Sequence, residues 1–494
     1  MASPQGIATG DVGTLGRVPA PPPPRGRSAR GAAGLDLPQV AAWVAIGFLI
    51  AVTAMTALFA SSGPSILVPR SDASFPGWMA GPLHGLFGHL PEDRPSLEIF
   101  SSVALVAMFC AYGMALAFIR AVSMRALWVV IGVLAALLLL TPPLQLTDVF
   151  DYLGYARLGA LHGLNPYTHV LAAMGNDPVN VFSTWHNLHS PYGELWMVLS
   201  YPLGWLPLGV ATWILKVTTV AAGVLLLWLV AVCAKRLGRD ARFPVAFLAL
   251  NPIFIAYALG GFHNDLFMLV ASTAAIALFL KRHDRAAGAL VIVAVAIKFM
   301  ALLILPFMVL VAWREGRRWR VVQGALLAAV PLAALSLLLF GPTLPNVATQ
   351  TKILTPFSIP NLVGLAIGVG GGTHSVLSYM AAAVVAVTIY QLVRYVRGPT
   401  GPKRDWLAGA GWATLVLIAS ASWLMPWYVI WLLPLAALGR SRVLRGAALA
   451  LTLFLILTVG PGTTYLLEIH HVSPLHAPAG RASRALQHRL VGGG

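Results

Sequence analysis

Apolar runs of nearly bilayer length follow one another along most of this chain, and the turns between them carry much of its positive charge. FPVAFLALNPIFIAYAL, LFMLVASTAAIALFL and AVAIKFMALLILPF are three of them. Roughly 20 apolar residues cross a hydrocarbon core as a helix, and a backbone in lipid must satisfy its own hydrogen bonds. Runs of this kind therefore become helices. With 58% of 494 residues hydrophobic and 10% charged, the chain has too little polar surface for a soluble protein of its size. The expected fold is an all-α polytopic membrane protein.

Candidate helices fall near 40–61, 97–119, 126–142, 193–208, 211–233, 244–260, 265–281, 286–312, 321–340, 359–370, 374–396, 405–422, 425–438 and 443–460. Several are short, which gives about 11 to 14 transmembrane and re-entrant helices. The formal net charge of +17 lies largely in clusters between the runs: Lys235, Arg236, Arg239 and Arg242; Lys281, Arg282 and Arg285; Arg314, Arg317, Arg318 and Arg320; Lys403 and Arg404; Arg440, Arg442 and Arg445. Short basic loops mark the cytoplasmic side of a membrane protein. Nucleic-acid binding is not expected, and Cys110 and Cys233 sit inside apolar runs, away from any disulfide or metal framework. Residues 1–36 (with PAPPPPRGRSARGAAG) read as a disordered cytoplasmic tail, 37–461 as the transmembrane domain and 462–494 as a C-terminal tail. The run 40–60 is too long for a signal-peptide core and reads as an uncleaved first span.

Holding the basic clusters on one side creates a parity problem for 286–312, which joins two of them. Two short helices hinged near Lys298 solve it; 193–234 and 359–396 raise the same problem and suggest half-helices inside the protein. The segments at the opposite, extracytoplasmic side are then 61–96, 143–192, the GGFHND junction, 341–360 and the bend at 422–428. Segment 143–192 is the longest of these with both acids and aromatics. It is too rich in Trp, Tyr, Phe and Leu for disorder, and Asp148 to His162 is expected to form an interfacial helix.

Two polar constellations share this side. Asp148 follows Thr147 at a helix start, and Asp265 starts a helix directly after His263 and Asn264. Carboxylates beside a His and an Asn in a partly desolvated cleft suit general-base work on a hydroxyl. Helix capping by Asn264 and Asp265, or a simple N-terminal charge at Asp148, explains the same residues without chemistry. Lys298, inside AVAIKFMALLILPF, is a functional candidate because ionisable residues at membrane depth are costly, although it can also snorkel. Emerging at the hinge, it would hold a phosphate; Lys352 and Arg157 are further candidates, each also readable as an ordinary loop cation. In SWLMPWYVIWLLP, Trp423, Trp427, Tyr428 and Trp431 read either as a membrane-interface belt or as platforms for sugar rings.

In order along the chain, TDVFDYLGYARLGALHGLNPYTH, SPYGELW, NPIFIAYALGGFHNDLFM and SWLMPWYVIWLLP resemble segments of the polyprenol-phosphate-mannose-dependent mannosyltransferases of actinobacterial lipomannan synthesis. That family belongs to the multispanning glycosyltransferase C superfamily. The resemblance runs from about residue 140 to 435 and implies transfer of a sugar from a lipid-phosphate donor to an acceptor hydroxyl outside the cytoplasm, in the plasma membrane. It places the family's loop acid on Asp148 and its His-Asn-Asp on His263, Asn264 and Asp265. Asp151, Tyr152, Tyr192, Asn264, Trp427 and Tyr428 become acceptor or sugar contacts. Glu194 departs from the family's usual Pro and joins them as a secondary candidate. Thr147 stands where a basic residue is expected, which shifts one phosphate contact toward Arg157.

The implied reaction is an inverting single displacement with Asp148 as base, His263 and Asp265 beside it, and Lys298, Lys352 or Arg157 on the leaving phosphate. No cofactor is required; Asp and His in one cleft are compatible with Mg²⁺ or Mn²⁺, but a monophosphate donor does not demand one. The partners are the polyprenyl-phosphate sugar, a glycolipid or glycan acceptor, and membrane lipid. Two rival readings stay open: the same fold using another lipid-linked sugar, and a lipid-linked-sugar transporter or flippase, which would place ionisable residues at the midplane.

Overall fold

The computed structural model describes residues 36–86, 93–398 and 405–492. The expected tail before Asp36, and the Lys403–Arg404 cluster, lie outside them. The described chain is all helix, with no strand. Among the described residues five helices are long and apolar enough to cross a membrane: α1 (Leu37–Ser62), α2 (Arg94–Phe118, prolonged by a 3-10 turn), α6 (Leu208–Arg236), α11 (Arg318–Phe340) and α13 (His374–Arg397). A bent pair, α16 (Arg442–Val459) and α17 (Pro461–Ile469), adds a sixth span if counted as one. Shorter apolar helices fill the bundle: α3 (Met124–Leu140), α8 (Asp265–Leu280), α10 (Leu305–Arg314), α14 (Trp406–Ala419) and α15 (Val429–Leu438). The chain is a multi-pass membrane protein.

Small residues set the closest packing. Ala42, Ala45, Ala57 and Ala60 of α1 are all fully buried, as expected where helices associate in lipid through close backbone approach. A side chain at Gly324 of α11 would run into the backbone of Arg285 in α9 (Asp284–Ile297). Only glycine lets these two helices touch.

The run 286–312 divides where its charge parity requires. α9 ends at Ile297, Lys298 is extended (φ −154°, ψ 122°), and a 3-10 segment Phe299–Ile304 leads into α10. The other two doubtful runs also split, into α5 (Glu194–Gly204) before α6 and α12 (Ile359–Ala366) before α13. The expected helix 244–260 does not form as one piece. α7 (Arg242–Ala249) stops ahead of Pro252, whose ring has no N–H to continue the ladder. Asn251 Oδ1 instead accepts from Ile253 N and Phe254 N (3.0 and 3.3 Å), and the chain resumes as a π-helix, Phe254–Leu259.

The helix expected over Asp148 to His162 forms as α4 (Asp148–Ala160), most of whose residues are buried. The C-terminal segment, read from sequence only as a tail, holds α17 and a further amphipathic helix, α18 (Pro478–Val491). α8 and α9 give the bundle its polarity. Asp265 and Lys298 meet at one end, while Lys281 to Arg285 stand at the other, with Arg282 paired to Glu315 at 2.9 Å and Arg317 to Asp284. The basic clusters at 281–285 and 314–320 thus stand at the end opposite Asp265 and Lys298.

Candidate active site

At the end away from the basic clusters lies a cavity of about 760 Å³. Asp148, Asp151, Tyr155 and Tyr192 line one side, Trp427, Tyr428 and Trp431 another, and Lys298 and Lys352 also reach it. It extends along an apolar stripe, Leu377, Ala381, Val384 and Val385 of α13, facing Leu417 of α14. Spacings of four, three and one residues keep that stripe on one helix face.

Asp148 is the first residue of α4, with Thr147 as its N-cap, and its side chain is 18% exposed. Burial pushes its carboxyl up to about 7; Lys298 opposes the rise and the Asp265 charge adds to it. Such a group is half ionised near neutrality, where a general base is most effective. His263 lies 3.5 Å away through Nδ1 and is completely buried. Burial depresses its pKa to about 3, so the ring is neutral, stacked on Trp427 at 4.0 Å. Nδ1 also lies 3.3 Å from the Tyr152 hydroxyl. That hydroxyl donates to Asn264 Oδ1 (3.2 Å) and accepts from Asn264 N (3.3 Å). A proton on His263 Nδ1 serves both acceptors it faces.

Asp265 is buried completely and accepts from Lys298 Nζ at 2.8 Å through each oxygen, and from Trp431 Nε1 at 2.5 Å. Trp431 stacks on Tyr428 at 4.2 Å, and the Lys298 ammonium stands 5.4 Å from the Trp431 ring centre. The extended residue that breaks the helix is thus tied down by an ion pair and cation–π contacts. The Ile297 carbonyl freed by the break accepts from Gly193 N at 3.1 Å. Any side chain at Gly193 would collide with the carbonyls of Ala296 and Ile297. Glycine at this point of SPYGELW seats Tyr192 beside the cavity.

The geometry sorts the expected residues into three groups. Asp148, Asp151, Tyr192, Lys298, Lys352, Trp427 and Tyr428 line the cavity. Tyr152, His263, Asn264 and Asp265 stand behind its wall, touching the lining residues. His263 and Asp265, expected from sequence to be catalytic, therefore meet the cavity only through the side chains of Asp148 and Lys298 that they touch. Arg157 and Glu194 are elsewhere. The Arg157 guanidinium binds Asp177 through Nε (2.9 and 3.1 Å) and the carbonyls of Gly204 and Leu206 (both 3.3 Å). Arg157 is absent from the cavity lining that Lys298 and Lys352 reach, so the structure does not bring it together with them.

Asp151 is more than a loop acid. Its Oδ1 accepts from Thr184 N and Trp185 N (3.2 and 3.4 Å), while the buried Oδ2 has no partner. Burial and the Asp148 charge hold its carboxyl well above the usual range. This carboxyl holds its proton more readily than an ordinary Asp, and the residue lines the cavity. Sequence reading missed Trp185 and His374, which line the cavity together with Trp423 of the aromatic stretch. Trp185 and Trp423 meet edge to face at 4.9 Å from distant segments, so no local spacing announces their contact. Among the described residues no group of three or more His, Cys, Asp or Glu is arranged to hold a metal ion.

With this geometry in view, comparison with known proteins is informative. Residues 42–314 match the family described as alpha-(1->6)-mannopyranosyltransferase, N-terminal domain, and residues 357–479 match the MptB C-terminal domain. The chain belongs to the alpha-(1->6)-mannopyranosyltransferase family. It is 27% identical over 365 residues to alpha-(1->6)-mannopyranosyltransferase A of Mycobacterium tuberculosis, covering 66% of this chain and 67% of that one. It is 30% identical over 181 residues to alpha-(1->6)-mannopyranosyltransferase A of Corynebacterium glutamicum, covering 35% and 36%. It is 25% identical over 367 residues to the B enzyme of the same organism, covering 64% and 59%. The chain spans about two thirds of the length of the first of these relatives. No solved structure matches. The family is one of mannosyltransferases, and the resemblance seen in the four motifs is a membership.

Proposed function

We propose that this protein transfers a mannosyl residue from a polyprenyl-phosphate donor to a hydroxyl of a lipid-linked glycan, forming an α-(1→6) linkage on the extracytoplasmic side. The observation that carries the reading is the cavity itself. It joins a carboxyl titrating near neutrality, two lysines and an apolar stripe on α13. A long-chain phosphate sugar needs all three.

The acceptor oxygen attacks the anomeric carbon as Asp148 takes its proton, and the bond from that carbon to the phosphate oxygen breaks on the opposite face. One displacement inverts the centre, so an α product requires a β-linked donor. Lys298 and Lys352 stabilise the charge left on the polyprenyl phosphate. Lys298 is held ready by Asp265, and His263 orients Asp148 from behind. Asp151 Oδ2 and the Trp427 Nε1, both buried without partners, supply the polar contacts a sugar needs beside the Trp427 ring. The basic clusters at the far end favour an extracytoplasmic cavity.

The test is transfer in membranes from radiolabelled polyprenyl-phosphate-mannose, comparing wild type with Asp148→Asn and Asp265→Asn at matched expression. Labelled glycolipid from wild type and its loss in Asp148→Asn support the assignment. If wild type transfers only another lipid-linked sugar, the donor assignment falls and the fold's chemistry stands.

A further inference from the structure

The C-terminal helix α18 lies outside the cavity but is built against its wall. Its inner face, Gly480, Ser483 and Leu490, is buried. Ser483 Oγ accepts from Leu354 N at 2.7 Å, and Gln487 Nε2 donates to Leu354 O at 3.2 Å. Leu354 is two residues beyond Lys352. Farther along, Asn187 donates to the carbonyls of Arg489 and Leu490 (2.9 and 2.8 Å). Leu490 packs in a small apolar cluster with Leu188, Ile353, Trp185 and Trp423, three of which line the cavity.

The outer face is cationic. Arg481, Arg484, His488 and Arg489 are exposed, and the first three follow at i, i+3 and i+7, one stripe of a helix. No acidic residue occurs between Glu468 and the end of the chain. Arg481 and Arg484 donate only to the His476 carbonyl (2.5 Å) and the Ser473 hydroxyl (3.0 Å), and among the described residues neither they nor Arg489 form an ion pair. Among the described residues no carboxylate is paired with these charges.

The location supplies the second argument. Ala477 and Pro478 lie against Gly371 and Gly370, and Asn361 ties the Pro474 carbonyl (3.1 Å) to Gly372 N (3.3 Å). The membrane span α13 begins two residues later, at His374. α18 thus starts at the level where a spanning helix leaves the hydrocarbon, which is the depth of lipid headgroups.

We propose that the Arg481–Arg484–Arg489 face of α18 binds anionic phospholipid headgroups of the leaflet on the cavity side. The attraction is electrostatic, since the exposed stripe carries no large apolar side chain to insert. Held by lipid at its outer face and by Leu354, Asn187 and the Trp185–Trp423 pair at its inner face, the helix steadies the cavity wall according to the charge of the surrounding leaflet.

Hydrogen exchange of the full-length protein in nanodiscs tests this without reference to catalysis. Amides of 478–492 should exchange at least about tenfold more slowly in phosphatidylcholine mixed with phosphatidylglycerol than in phosphatidylcholine alone, since each surface arginine contributes roughly fivefold. High salt should abolish the difference. The triple variant Arg481→Gln/Arg484→Gln/Arg489→Gln should exchange equally in both lipids, and the corresponding triple Lys variant should behave as wild type. Equal exchange of wild type in the two lipids overturns the proposal. So does a slowing that persists in the Gln variant, which would trace it to packing, or one that is lost in the Lys variant. If the proposed sugar transfer fails and the lipid effect holds, only the function is in error.

Discussion

Asp148→Asn should cut transfer severely and at the same time stabilise the protein at neutral and alkaline pH. A carboxyl that titrates at about 7 in the folded chain and near 3.8 in an unfolded one carries an ionisation cost in the fold of about 4 kcal/mol, each pH unit being worth about 1.4. With 18% of the side chain exposed, that value is an upper bound. The folded pKa is the raised one, so the favourable neutral state is fully present below the unfolded value and is lost as pH rises through about 7. Wild type should lose stability across about pH 4 to 7 relative to the Asn variant, which has nothing to titrate there. Thermal unfolding in detergent should show the two nearly equal near pH 4, and the variant more stable by up to about 4 kcal/mol near pH 8. Over the same range wild-type kcat/KM should fall about tenfold per pH unit below 7, because the base must be ionised, and the variant should lose about 10²- to 10⁴-fold in kcat. A stability difference that ignores pH would show that the carboxyl is not desolvated. Turnover of the variant within about threefold of wild type would remove Asp148 as the base.

Three further outcomes follow from the surrounding contacts. Lys298→Ala leaves the buried Asp265 carboxylate without its cation and should cost about 3–5 kcal/mol; Lys298→Met combined with Asp265→Asn should recover more than half of that in a double-mutant cycle read by thermal melting. Gly193→Ala should cost about 1–3 kcal/mol, because its methyl group meets two backbone carbonyls that cannot yield cheaply, and fluorescence-detected melting of the solubilised protein would register it. Arg157→Met should lower stability by about 1–3 kcal/mol through the partners it abandons, with kcat per folded molecule unchanged; a collapse of kcat in a protein of normal stability would return Arg157 to the phosphate site.

How far the sequence could lead depended on whether a residue's role is local. The break at Lys298 was readable because two basic clusters flank one apolar run, and charge placement is a local rule. Asp148 and Asp265 were readable as helix starts for the same reason. Arg157 misled because its partners, Asp177 and the carbonyls of Gly204 and Leu206, come from turns whose meeting no spacing encodes. His263 and Asp265 were correctly associated with Asp148, but their place behind the wall depends on how Trp427, Trp431 and Lys298 cover them. The divided helix at 244–260 looked continuous because hydrophobicity outweighed Asn251-Pro252, where backbone chemistry decides. In the C-terminal segment, the alternation of Arg with small and apolar residues carried the amphipathic helix, but nothing local said that Leu354 would receive it.

The α13 stripe gives the cavity a boundary unlike that of a water-filled cleft. One side of this helix lines the cavity, while Tyr379, Ile389 and Tyr390 are exposed, as expected of a span bathed in lipid. A molecule with a hydrocarbon tail that reaches the site past α13 arrives from two dimensions, so its supply is counted in molecules per leaflet area. Saturation should then follow the mole fraction of such a molecule in the bilayer, and diluting it with inert phospholipid at fixed bulk concentration should slow the protein as effectively as removing it.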